Sequence, residues 1–179
     1  FEKVQNDLKE KPGKPMMRII QTSSSHEPFD VPYHHLQDKV LNAFAYTDAC
    51  VGRFVDYLKR SGRWKRSLII LIPDHLGCYP EDISEFKVER YQIPMIWLGG
   101  VVKAPYVVES YGSQHDLAAT LLGQLGISHA SFIFSKDMLD SRAPHFAFFT
   151  YPDLWGMATE EQQMIYDNVA GKTVLCRGK

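Results

Sequence analysis

The fold class is decided by the segment Ser67-Leu68-Ile69-Ile70-Leu71-Ile72-Pro73-Asp74-His75-Leu76-Gly77. Its leucine and isoleucine run is typical of a parallel strand that is covered on both faces. The run stops at a proline, and a carboxylate and an imidazole follow directly. Because sites in open α/β sheets form beyond the carboxyl ends of the strands, the sequence predicts a functional loop at Asp74 and His75.

Working outward from this strand, the pattern alternates between strands and helices. The segment from Leu36 to Lys59 is predicted to be a helix with one buried stripe. The stripe repeats at three- and four-residue steps and consists of Val40, Phe44, Thr47, Val51, Val55 and Leu58. The other predicted elements are a helix over 1–10, strands over 16–21 and 93–98, and a helix over 116–125. Such an order predicts an α/β layer with a parallel sheet.

The pattern changes after about residue 140. Short apolar runs over 145–151, 154–158, 164–169 and 173–176 predict strands, and no helix separates them. Ala170-Gly171 is a plausible hairpin turn. We therefore expect residues 1–140 to belong to the α/β part and residues 141–179 to form a small antiparallel β subdomain.

Composition limits the classes of function. The chain of 179 residues is 45% apolar and 23% charged, and its net charge is -1. No basic stripe is evident, so we expect no nucleic-acid partner. The three cysteines form no CxxC pair, and their odd number argues against a complete disulfide framework. The first residue is Phe1, so we expect the chain to be a piece of a longer protein.

Asp74 and His75 are the strongest candidates for metal ligands. Carboxylate oxygen and neutral imidazole nitrogen suit Zn²⁺ and Mn²⁺. Both side chains reach one ion only if the chain bends, which Gly77 makes plausible. The alternative is an aspartate that caps a turn beside a surface histidine.

His26 is the second candidate, in the serine-rich loop from Thr22 to Pro28. A histidine there could bind a phosphate or sulfate oxygen or donate a proton. The alternative is a histidine in an ordinary turn. Two other pairs favour structural interpretations: His34-His35 as a solvent-exposed pair, and His115-Asp116 as a helix start stabilised by the aspartate.

Several segments together resemble lipoteichoic acid synthases and related phosphoglycerol transferases. Ser24-Ser25-His26-Glu27-Pro28-Phe29 resembles their Ser-x-His-x-Pro-Phe loop, and Pro73-Asp74-His75-Leu76-Gly77 resembles their Asp-His-Gly metal motif. Ser113-Gln114-His115-Asp116-Leu117 is similar to the start of their Ser-Gln-x-Asp-Leu helix, and Ala45 to Phe54 to an earlier helix. The motifs stand in the family's order along nearly the whole chain.

This resemblance implies the sulfatase and alkaline phosphatase superfamily, with a partial three-layer α/β/α core and the antiparallel C-terminal sheet. It implies a divalent metal ion (Mn, Zn, Mg or Ca) held by Asp74 and His75, an acidic residue and a threonine nucleophile. It also implies that His26 contacts the substrate's phosphate or sulfate group. Pro73 and Leu76 depart from the motif, since a small residue before the aspartate and a glycine directly after the histidine are expected.

Neither the nucleophile nor the acidic ligand has a match in this chain. The resemblance therefore implies the C-terminal part of a hydrolase or transferase whose missing N-terminal half is its partner. The substrate would be a phosphate or sulfate ester, possibly linked to lipid. The parent would be anchored in a membrane with its catalytic domain outside the cytoplasm, and the fragment itself would be soluble and inactive. A true sulfuric ester hydrolase and a noncatalytic binding or scaffold domain are the alternatives.

Overall fold

The computed structural model describes residues 1–10, 15–77 and 79–178. The elements in chain order are helix α1 (Glu2–Glu10), helix α2 (Lys39–Arg60), a 3-10 helix (Trp64–Arg66), strand β1 (Ile69–Leu71), a second 3-10 helix (Val88–Tyr91), strand β2 (Ile96–Leu98), helix α3 (Asp116–Gln124) and strands β3 (Ala147–Tyr151), β4 (Leu154–Ala158), β5 (Gln162–Asp167) and β6 (Lys172–Gly178). Strands β1 and β2 pair in one sheet, and β3 to β6 form a second sheet.

The chain divides into two compact units. The first comprises Phe1–Ile69 and Leu98–Lys103, and the second comprises Ile70–Trp97 and Ala104–Lys179. The mixed helices and sheets, with four antiparallel strands at the C-terminus, confirm the predicted α/β class. The division into residues 1–140 and 141–179 stays a prediction.

Helix α2 is the centre of the first unit. Asp38 caps its start, since the carboxylate accepts a hydrogen bond of 2.9 Å from the Leu41 amide. Helix α1 packs on it: the Phe1 and Phe54 ring centroids are 5.2 Å apart, and Tyr57 donates to the Gln5 carbonyl. Within the described residues, no helix is long and apolar enough to cross a membrane.

The predicted stripe along α2 is only partly correct. Leu58 is buried as expected, but Phe44 is 41% exposed, while Asn42 and Ala43 are buried instead. The buried Asn42 is fully hydrogen-bonded: its Oδ1 accepts from the amides of His35 and Leu36, and its Nδ2 donates to two backbone carbonyls. The loop before α2 folds back onto the Asn42 side chain. The face of α2 that this loop covers is therefore the face of Asn42 and Ala43, and not the apolar stripe that includes Phe44.

The predicted strand over residues 16–21 is wrong. No strand occurs there, and Met17 and Ile19 are 70% and 86% exposed. An apolar run becomes a strand only where a neighbouring strand satisfies its backbone groups, and none of the described strands pairs with it.

Strands β1 and β2 lie where the sequence predicts strands, but they are shorter and less buried. Every residue of β1 is only partly buried, and Ile96 in β2 is 52% exposed. Full burial requires cover on both faces, and a sheet of two short strands has little cover. Gly99 ends β2 at φ 138°, where its Cα hydrogens face the Ser67 carbonyl so closely that no Cβ would fit.

The C-terminal sheet supplies the core of the second unit. Its order is β3-β4-β5-β6, and all neighbours are antiparallel. One face buries Leu154, Ala158 and Ile165 against Val88 of the second 3-10 helix. The Phe149 ring lies over Gly156 on the next strand and stacks on Tyr91 at a centroid distance of 4.1 Å. The predicted meander is thus confirmed, including the turn at Gly171, which has φ 64°.

A buried carboxylate holds the start of α3. Asp116 is completely buried and forms an ion pair with the ammonium group of Lys136, which is 11% exposed. Its Oδ2 also accepts from the Ser113 amide at 2.7 Å, and its Oδ1 accepts from the Lys136 amide at 3.0 Å. Asp116 thus has a structural role, but it does not cap the first turn as the sequence predicted, because its carboxylate accepts from the amides of Ser113 and Lys136, which lie outside α3.

We predict that Ile165→Ala lowers the free energy of unfolding by about 2–5 kcal/mol, because Ile165 is completely buried and the truncation leaves a cavity. Val169→Ala is the matched control: that side chain is 79% exposed, so its change should be within about 0.5 kcal/mol. Urea unfolding measures both. Equal losses for the two variants would contradict the assigned core.

We also predict that Asp116→Ala lowers the free energy of unfolding by about 3–5 kcal/mol, since it leaves the Lys136 ammonium buried and unpaired. Adding Lys136→Met should restore part of that loss, because both charges are then absent. Asp7→Ala, which breaks the more exposed pair with Arg18, should cost less than about 1 kcal/mol. A double variant no more stable than Asp116→Ala would argue against the pair as the cause.

Candidate metal and anion site

Asp74 and His75 lie together in the loop that follows β1. The chain bends at these two residues, and the His75 Nε2 atom is 3.7 Å from the Asp74 Oδ2 atom. The His75 amide donates to Asp74 Oδ1 at 3.0 Å, which folds the carboxylate back toward the imidazole. The bend therefore brings side chains that would diverge on a straight strand to one point.

The His75 ring is oriented by its other nitrogen. Nδ1 lies 3.0 Å from the Leu76 carbonyl oxygen. A carbonyl only accepts hydrogen bonds, so Nδ1 carries the proton in this contact. In the neutral ring Nε2 then carries the lone pair, 3.7 Å from Asp74 Oδ2, which is the tautomer required for a metal ion at Nε2.

The donor atoms fit one divalent ion. Bonds from zinc to imidazole nitrogen and to carboxylate oxygen are about 2.0–2.2 Å each. One ion can bind both atoms, because the two bond lengths add up to about 4 Å and the atoms are 3.7 Å apart. Both side chains are open to solvent, with exposed fractions of 75% for His75 and 81% for Asp74. In the part of the chain that the structure describes, no group of three His, Cys, Asp or Glu side chains is placed to hold a metal ion. The pair thus offers two ligands and leaves the remaining positions of an ion open.

Gln114 joins this loop to the start of α3. Its side-chain Nε2 donates to the Pro73 carbonyl and to the Asp74 carbonyl, each at 2.8 Å. Reasoning from the sequence did not single out this residue. The available signal was the Ser113-Gln114 step of the helix-start motif, but no local pattern connects position 114 to a loop 40 residues earlier.

His26 lies in the first unit, in a loop tied to α2. The Ser24 hydroxyl is 2.5 Å from the Thr47 hydroxyl, and Thr47 itself donates to the Ala43 carbonyl. Two turn hydrogen bonds, from the His26 amide to the Ser23 carbonyl and from the Phe29 amide to the His26 carbonyl, shape the loop. The sequence therefore folds the histidine into a defined turn on the helix.

The His26 imidazole is exposed, and its Nδ1 is 3.0 Å from the Glu27 carbonyl oxygen. As in His75, this contact places a proton on Nδ1 and leaves Nε2 available. When protonated, Nε2 donates a hydrogen bond and suits an anionic oxygen. The roles of His26, Asp74 and His75 stay predictions.

The remaining histidine pair is structural. His34 and His35 are both exposed, as the sequence predicted, and they precede α2. The His35 ring makes an edge contact with Tyr33 at a centroid distance of 4.5 Å, and its amide bonds to Asn42. These contacts account for the position of His35 without a metal ion.

Comparisons with known proteins agree on one family. The Sulfatase family model matches residues 1–127. Phosphoglycerol transferase I of Xanthomonas campestris is 27% identical over 146 residues, which cover 74% of this chain and 20% of that protein. Lipoteichoic acid synthase of Staphylococcus saprophyticus is 25% identical over 169 residues, which cover 79% of this chain and 26% of that protein. The chain thus spans about a fifth to a quarter of these relatives.

The fold comparison points the same way. A crystal structure of a protein in the alkaline phosphatase superfamily from Vibrio parahaemolyticus superimposes with a TM-score of 0.68 at 20% identity. The match covers 88% of this chain and 42% of that chain. At this identity the superposition shows the fold alone. The family model matches more than two thirds of the residues and shows the family. The chain belongs to the sulfatase family.

Proposed function

We propose that this chain supplies the metal-binding pair and an anion contact of a divalent-metal-dependent enzyme that transfers or hydrolyses phosphate esters, of the phosphoglycerol transferase type. The observation that carries the proposal is the Asp74–His75 pair, whose donor atoms lie 3.7 Å apart after β1. Family membership and the names of the relatives support this choice of chemistry.

Each side chain has a distinct task in this proposal. Asp74 and His75 hold a divalent ion, and the histidine ligand favours zinc or manganese over magnesium or calcium. When bound, such an ion lowers the pKa of a hydroxyl nucleophile and neutralises charge on the oxygens of a tetrahedral anion. His26 donates a hydrogen bond from Nε2 to a non-bridging oxygen or to the leaving group.

We propose that the nucleophile and the acidic ligand come from a part of the protein outside these 179 residues. Support comes from the two ligands that the pair offers, against the four of a typical zinc site, and from relatives of which the match covers only 20% and 26%. The partner of this chain would then be the N-terminal half of the same protein.

The same relatives support a location at the cell envelope. Lipoteichoic acid synthase is named for an envelope polymer, so we propose that the whole protein is anchored in a membrane with its catalytic part outside the cytoplasm. Its substrate would be a phosphate ester linked to a lipid. Digestion by added protease in intact cells tests this placement, and protection from the protease would contradict it.

A sulfate ester is the second candidate substrate, because the matched family model is that of sulfatases. Phosphodiesters and sulfate esters present similar tetrahedral anions to His26 and to a bound ion. Parallel assays with a p-nitrophenyl phosphodiester and p-nitrophenyl sulfate, each on the whole protein, separate the two activities.

We predict that Asp74→Asn and His75→Ala, made in the whole protein, each lower kcat/KM for the preferred ester at least about 100-fold, since a metal ligand is lost. Bound metal, measured by mass spectrometry of the purified protein, should fall with activity. His26→Ala should lower kcat by about 100-fold and leave the metal content unchanged, because His26 contacts the anion and not the ion.

His34→Ala is the matched control, as an exposed histidine outside the proposed site, and it should change neither quantity. The 179-residue chain alone should turn over neither ester. Full activity in Asp74→Asn, or turnover by the isolated chain, would contradict the proposed function. A whole protein that folds and binds neither metal nor ester would favour a noncatalytic binding or scaffold domain.

A further inference from the structure

In the part of the chain that the structure describes, a side chain from outside the loop of Asp74 and His75 is hydrogen-bonded to that loop. The Gln114 NH₂ group donates to the Pro73 carbonyl and to the Asp74 carbonyl, at 2.8 Å in each case. These carbonyls belong to the two peptide planes that flank the Asp74 Cα atom. Fixing both planes fixes the backbone dihedral angles of Asp74, and with them the directions in which Asp74 and His75 leave the chain.

Among the described residues, the other hydrogen bonds of this pair are local. The His75 amide bonds to Asp74, and the His75 ring bonds to the Leu76 carbonyl. Contacts inside a loop preserve its shape but do not anchor it to the rest of the unit. Both side chains are also more than 70% exposed, so packing does little to restrain them. Among the described residues, the hydrogen bonds from Gln114 are therefore the ones that connect this pair to a distant part of the unit.

Gln114 is itself on a rigid support. Its neighbour Ser113 is buried, donates its amide to Asp116 and accepts the Phe148 amide on its hydroxyl at 2.7 Å. Asp116 in turn is paired with Lys136. A buried ion pair and the start of the C-terminal sheet thus hold the backbone from which Gln114 reaches the loop.

We propose that Gln114 is a positioning residue that sets the geometry of the Asp74–His75 pair for a divalent ion, an inference that rests on the proposed function. The role requires a side chain with two N–H donors at this length. Glutamate has the same shape but no donor when ionised, so its carboxylate would face two carbonyl oxygens and repel them.

The test makes Gln114→Glu and Gln114→Ala in the whole protein and compares them with the unchanged whole protein. Gln124→Glu is the control, since it makes the same change on an exposed residue at the other end of α3. Hydrogen exchange of the amides of residues 74–77 is measured without metal. Zn²⁺ alone is then titrated and followed by the NMR signals of the His75 imidazole. Thermal unfolding is recorded for every variant.

We expect both Gln114 variants to exchange the loop amides faster and to bind Zn²⁺ about 10–100-fold more weakly, as is usual when a group that orients a ligand is removed. Their unfolding temperatures should stay close to that of the unchanged protein, because Gln114 is exposed. A purely structural role would lower the unfolding temperature instead. The Gln124 variant should match the unchanged protein throughout.

Unchanged loop exchange and unchanged Zn²⁺ affinity in Gln114→Glu would overturn the inference. A different result would contradict the proposed function: a whole protein, with every proposed ligand present, whose His75 signals do not respond to Zn²⁺. In that event, the exchange measured without metal still decides whether Gln114 holds the loop, because that measurement involves no ion.

Discussion

The ion pair and hydrogen bonds of the fully buried Asp116 carboxylate are the interactions on which the second unit depends. A buried charge is tolerated only when it is paired and hydrogen-bonded, and Asp116 satisfies both conditions through Lys136 and the Ser113 amide. Its carbonyl also accepts from the Thr120 hydroxyl, which in turn accepts from the Met138 amide. One side chain and its own peptide group thus link the start of α3 to the segment after residue 135.

The hydrogen bonds around Asp116 also position the C-terminal sheet and the loop that carries Asp74. Ser113 accepts the backbone amide of Phe148, which belongs to β3, so the antiparallel sheet is attached to the same turn. Gln114 extends from that turn to the carbonyls of Pro73 and Asp74. The candidate ligands are exposed and lie on a loop, but their backbone is hydrogen-bonded to Gln114, which is anchored by the buried contacts around Asp116. Such an arrangement keeps donors accessible to an ion while limiting how far they move.

The sequence predicted elements well wherever the controlling interactions are local. The strand from Leu154 to Ala158 has the predicted bounds, and α3 begins at Asp116 as expected, because strand alternation and helix-start chemistry involve near neighbours. The segment 16–21 shows the opposite case. Its apolar run fits a strand, yet Ile19 is 86% exposed, since a strand also requires a partner that local pattern does not reveal.

The sequence by itself determined the α/β class, the antiparallel end of the chain and the residue types of the candidate site, because spacing and motif order are properties of the chain alone. Asp74, His75 and His26 were all identified in this way. Three features were decided only by the tertiary structure. The Asp74 and His75 donor atoms lie 3.7 Å apart, Asp116 is paired with Lys136, and the Gln114 side chain donates a hydrogen bond to the loop that carries Asp74. Each of these features depends on a bend in the backbone or on a contact between residues 20 to 41 positions apart. Such contacts form only when the chain folds, and the spacing of residues along the sequence does not predict them.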